Sequence, residues 1–152
     1  MDQDRNDRTN AVGLYHYARS YHDSARALLA AKVTTTHPDA PVSYLYFHAI
    51  ELFLKAFLRA HGHTVEELER KFRHDIGKMR DRATDLSLHF FMDEDRVVLA
   101  YMVKTKVVLK SRYIETGYFE RPTNEALERT AKSLRNTVCA AVRELTGVNV
   151  RP

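Results

Sequence analysis

HAIELFLKAFLRAHGH, residues 48–63, is apolar on almost every face, as a helix buried in the middle of a protein would be, yet it carries Glu51, Lys55 and Arg59. Followed back to Ser43, the polar residues are Ser43, Tyr44, His48, Glu51, Lys55 and Arg59. From Tyr44 they step by four, three, four and four, so on a helix they form one line. Leu45, Ala49, Ile50, Phe53, Ala56 and Phe57 occupy the other faces, and Leu52, Leu54 and Leu58 widen the apolar surface. The chain is therefore expected to pack around this rod. The line admits two readings: the solvated edge of the helix, with a Glu51–Lys55 pair contributing a few tenths of a kcal/mol, or a polar site.

Working outward, TTTHPDAP breaks the pattern before the rod, and Pro41 suits its first turn, where a missing N–H costs nothing. Upstream, Leu14, Ala18, Tyr21, Ala25 and Leu28 recur at helical spacing and predict an amphipathic helix. Downstream, Gly62 ends the rod and Thr64 with Glu67 forms a capping box for a short element, TVEELERKF. Ile76, Met79, Ala83, Leu86 and Phe90 make the next stripe. Asp93 is expected to cap a helix holding VVLAYMV, because nothing between Glu94 and Tyr113 breaks the chain and that length exceeds a usual strand. After the loop IETGYFERP, Thr123 caps a last helix with Leu127, Ala131, Leu134, Val138, Val142 and Leu145 on one face, stopped by Gly147. The expected fold is all-α: an antiparallel helical bundle of four to five main helices with one short extra helix. Residues 10–147 form that domain, between a flexible N-terminus, 1–9, and a frayed C-terminus, 148–152.

The bulk properties suit one soluble domain. The chain has 152 residues, 44% hydrophobic and 29% charged, enough to bury a core. No apolar run approaches the roughly 20 residues a membrane helix needs, and MDQDRNDR is no signal peptide. The single Cys139 excludes an internal disulfide and fits a cytoplasmic setting. A net charge of +4 would help to bring a polyanion near, but it is too diffuse to specify one.

SYLYFHAIELFLKAFLRAHG, followed by RHDIGKM and SRYIETG, resembles the HEPN domain (higher eukaryotes and prokaryotes nucleotide-binding). That family has an E-x-x-x-K central helix, an H-D-[LI] start to the next helix and an R-Y loop before the last. The counterparts are Glu51, Lys55, His74, Asp75, Arg112 and Tyr113; Ile114 stands where many relatives have proline. The resemblance runs from about Leu14 to Val142. It implies a homodimer that binds a nucleotide or an RNA-related ligand, or a partner of nucleotidyltransferase type, as in toxin–antitoxin or defence systems. A carboxylate inside a bundle needs cations or donors, which Lys55, His74 and Arg112 can supply, and Asp75 is placed to cap a helix. These six residues form either a fold-fixing network or a ligand site.

Many HEPN proteins are metal-independent ribonucleases marked by Arg, four to six residues, then His. Here Arg82 and His89, in RATDLSLH, meet that spacing. On a continuing helix they would share a face with Asp85. An arginine can hold a phosphate and a histidine can move a 2′-hydroxyl proton. The pair lies earlier in the chain than the family motif does, and short motifs of this kind arise readily by chance. RNA cleavage is thus the alternative to a binding module without catalysis, and a purely structural dimerisation domain is a third. No metal or cofactor is expected: HGH places His61 and His63 around a glycine without a third ligand, and the glycines form no phosphate loop. His16, His22, His37 and His48 are scattered; Tyr15, Tyr17 and Tyr21 read mainly as packing residues.

Overall fold

The computed structural model of the chain describes residues 2–89, 92–105 and 121–152. Its elements are α1 (Asp2–Arg8), α2 (Ala11–Ala31), α3 (Asp39–Ala60), α4 (Val65–Glu67), α5 (Ile76–Asp85), α6 (Asp93–Thr105) and α7 (Asn124–Thr146), with a wide π turn over Leu68–Phe72. Among the described residues there is no strand, and the helices pack as a bundle. The expectations for Phe90, for residues 106–113 and for the IETGYFERP loop lie outside the described residues.

The local signals act as their chemistry requires. Asn10 accepts from the Gly13 amide at 2.8 Å to open α2, and Thr123 accepts from the Ala126 amide at 3.2 Å to open α7. The Thr64–Glu67 box is formed in both directions, at 3.1 and 2.9 Å. Gly147 closes α7 at φ 72°, a conformation that favours glycine.

α3 is the axis. Ile50, Phe53, Leu54, Ala56 and Leu58 are fully buried, and α2, α5 and α7 pack around them. α2 and α3 run antiparallel, as their short connection demands. α3 and α7 start at the same end: Asn124 donates to Asp39 at 2.9 Å, and Tyr46 donates to Glu128 at 2.9 Å.

Three expectations need correction. The buried stripe of α2 is Ala11, Tyr15, Ala18, His22 and Ala25, while Leu14, Tyr21 and Leu28 flank it only partly buried. Ala18 and Ala25 on α2 share the core with Ala49 and Ala56 on α3, and small side chains let two helix axes approach closely. Asp93 is simply the first residue of α6. The acid that reaches back to the Met92 amide, at 3.1 Å, is Asp95, fully buried and also accepting from Thr130 at 2.8 Å. Leu145 is 48% exposed, because α7 turns that face outward at its last turn.

Residues near both ends of the chain make contacts with the bundle. Arg59 donates to the backbone oxygens of Asn6 and Thr9 at 3.0 and 3.1 Å, and Asn6 accepts from the Val65 amide at 2.9 Å. At the other end Val150 is buried, and its carbonyl accepts from Arg143 at 2.5 Å. Backbone carbonyls, which sequence patterns do not display, are the acceptors that tie the ends down.

Candidate functional site

The line of polar residues on α3 is not one solvated edge. Ser43 is buried, and Tyr44 stacks on His48 with ring centroids 6.0 Å apart while Tyr21 meets the same imidazole edge-on at 4.3 Å. Arg59 is spent on the α1 end. Between them Glu51 is fully buried and Lys55 nearly so.

Glu51 Oε1 accepts from Lys55 Nζ at 2.5 Å and from His74 Nδ1 at 2.8 Å. Lys55 reaches it along the same helix, one turn on. His74 arrives from elsewhere: after the π turn the backbone reverses at Arg73, φ 52° and ψ −111°, and this swings the next side chain onto α3. Asp75 then caps α5 by accepting from the Lys78 amide at 3.0 Å, so the H-D pair divides its work between site and helix. Glu51, Lys55 and His74 are therefore brought together, with Asp75 capping the helix beside them; Arg112 and Tyr113 lie outside the described residues.

Among the described residues this carboxylate is loaded on one side only. Oε2 of Glu51 is buried and has no hydrogen-bond partner among the described residues, whereas a buried polar atom is ordinarily paired. The His74 side chain is 31% exposed and Lys55 16%, so the rim of the site faces outward although its floor is sealed. Arg73 and Lys78, both exposed, lie on either side of His74 in the chain. Lys55 and His74 thus line the rim above the buried Glu51, while Lys78 lies 4.0 Å from Asp75 beside it.

Arg82 and His89 are placed differently from the expectation. α5 ends at Asp85 and Ser87 takes φ 68°, so the helical face they were to share stops before His89. Arg82 instead donates from Nε to His63 Nε2 at 3.1 Å. Since arginine only donates, that nitrogen of His63 accepts, and its Nδ1–H points to Glu67 at 3.2 Å. His61 bonds the Phe57 carbonyl at 2.9 Å. No group of three or more His, Cys, Asp and Glu able to hold a metal ion occurs among the described residues.

Sequence reasoning missed a second polar cluster. His22, 1% exposed, donates to Glu128 at 2.8 Å; Tyr46 donates to the same carboxylate oxygen, and Arg26 lies 3.6 Å from the other. Arg135 donates to His22 Nδ1 at 3.1 Å, to Asp23 at 2.7 Å and to the Pro152 backbone oxygen at 3.2 Å. Burial pushes the His22 pKa down, against the pull of Glu128. Burial would raise Asp23, but the bond and charge of Arg135 hold it below its usual range. Burial and then the bond to Glu128 raise the Tyr46 hydroxyl. The available signal was His22 itself, four residues after Ala18 on the alanine stripe.

The fold and this site define a class: an all-α bundle whose central helix carries a buried carboxylate that, among the described residues, is paired at one oxygen only, beneath a partly exposed lysine and histidine. No family model, no curated protein and no solved structure matches the chain. No helix among the described residues is long and apolar enough to cross a membrane.

Proposed function

We propose that the chain is a HEPN-like module that binds a nucleotide or RNA-related ligand over the Glu51–Lys55–His74 site without catalysis of its own. The observation that carries this reading is the unsaturated pairing of Glu51: two donors converge on Oε1, while Oε2 stays buried and unpartnered among the described residues. A network that serves folding alone gains by filling every lone pair. A partly exposed rim of Lys55 and His74 offers N–H donors, one of them an ammonium, to a phosphate. The same reading makes the chain a cytoplasmic homodimer working with a nucleotidyltransferase-type partner, as the resemblance implies; light scattering of the purified protein tests the dimer. RNA cleavage by Arg82 and His89 has no geometric support, since His63 occupies Arg82 and the connecting helix has ended.

The test is a thermal melt with ATP, with other nucleotides and with a short RNA. A ligand at 100 times its Kd adds about 2.7 kcal/mol of stability, so the melting temperature should rise for at least one of them. The rise should vanish in Lys55→Met. A melting temperature that stays flat across the whole set contradicts the proposal.

A further inference from the structure

The cluster around His22 lies on the opposite side of the bundle's logic from Glu51 and serves the chain's last residues. Arg135 is its hub. One guanidinium nitrogen is shared between His22 Nδ1, at 3.1 Å, and Asp23, at 2.7 Å; the other holds the Pro152 oxygen at 3.2 Å. Beside it Tyr15, fully buried, donates to the Arg151 carbonyl at 2.8 Å. Because a guanidinium can only donate, Nδ1 of His22 must offer a lone pair, and the one ring proton sits on Nε2, facing Glu128. The geometry thus fixes both the tautomer and the neutral state of a buried imidazole.

We infer that His22 is a proton-sensitive latch: protonation at Nδ1 removes Arg135's acceptor there, sets two cations in contact and loosens Arg151 and Pro152 from the bundle. The groups facing His22 decide whether the latch opens. Glu128 on α7 favours the charged ring, as does Asp23 on α2, whereas Arg135 opposes it. Tyr46 on α3 and Arg26 on α2 compete for Glu128 and weaken its pull. The proton that enters takes the lone pair now given to Arg135; the Nε2–H bond to Glu128 is kept and becomes an ion pair. Arg135 retains Asp23 and turns toward it, away from Pro152. Val150 stays seated, because Arg143 and Cys139 hold its carbonyl independently of His22. What the acid form uncovers is the hydroxyl edge of Tyr15.

The sign follows from burial. With its folded pKa lowered, His22 favours the folded, latched state in full above the ordinary value of about 6.5. That contribution is lost as pH falls from there toward the depressed folded value.

The test is backbone ¹⁵N relaxation of the full chain titrated from about pH 7.5, where a histidine of ordinary pKa is neutral, to about pH 5. The Arg151 amide should be as rigid as α7 at the upper end and approach free-chain mobility at the lower. His22→Gln should stay rigid throughout, since an amide can accept from Arg135 and donate to Glu128 without titrating. An Arg151 amide indifferent to pH in the wild type overturns the inference, and so does loosening that persists in His22→Gln. Should that variant not fold, the His22 imidazole ¹⁵N shifts replace it: their titration midpoint must coincide with that of Arg151 loosening, and separate midpoints overturn the latch.

Discussion

Glu51 with His74 and Glu128 with His22 are both carboxylate–imidazole pairs 2.8 Å long, each made between separate segments of the chain. They differ in what their remaining atoms do. At Glu128 one oxygen takes Tyr46 as well, the other faces Arg26, and the far nitrogen of His22 takes Arg135. At Glu51 both donors crowd one oxygen, the other is empty among the described residues, and no hydrogen bond to His74 Nε2 is formed among them. The imidazole of the filled cluster is sealed, and that of the open one is 31% exposed. A closed network uses its polar groups to fix helices in place. One with an oxygen that has no partner among the described residues, under a partly exposed rim, is the network we propose for a ligand.

The largest effect should come from the hub of the closed network. Arg135→Ala removes the donor shared by His22, Asp23 and Pro152, and should cost about 3 kcal/mol in urea unfolding, because it deletes charge-assisted hydrogen bonds and leaves the buried His22 Nδ1 unpaired. At the open site, Lys55→Met leaves Glu51 buried with His74 alone and should cost about 2 kcal/mol. Converting both residues, Glu51→Leu with Lys55→Met, should recover most of that loss, because a buried pair can often be exchanged for apolar residues of like volume. It should also abolish any ligand-induced rise in melting temperature. A double variant that stays as unstable as Lys55→Met would mean that the Glu51 pair organises the fold, and the contrast between the two networks would fail. Tyr46→Phe removes one of three partners of Glu128 and should cost about 1 kcal/mol. Smallest is the pH effect: wild-type stability should decline below about pH 6.5 more steeply than that of His22→Gln, read as the difference between their urea midpoints.

The helices were legible because their ends carry chemistry the chain states openly: Thr64 and Thr123 as caps, Gly147 as a stop. The Glu51–Lys55–His74–Asp75 group was legible as a set through the resemblance. Its depth was not, since Glu51 alone of a four-three-four-four line is fully buried, and only packing decides which part of a line faces water. The face of α2 was misread by one position because leucines outweigh alanines in hydrophobicity, while close approach to α3 favours alanines. With the face went His22, and with His22 the second network, in which Glu128 and Arg135 sit more than 100 residues from it along the chain. Arg82 and His89 failed as a helical pair for a local reason: the left-handed turn at Ser87 is not written in RATDLSLH.

The difference between the two networks can be read in one spectrum. With histidine side chains labelled with ¹⁵N, ATP and, separately, a short RNA are titrated into the protein at neutral pH. The His74 resonances should shift saturably with at least one of the two, while those of His22, sealed between Glu128 and Arg135, stay in place. Resonances of His74 that remain still with both ligands, or that move no further than those of His22, would contradict a ligand site at Glu51.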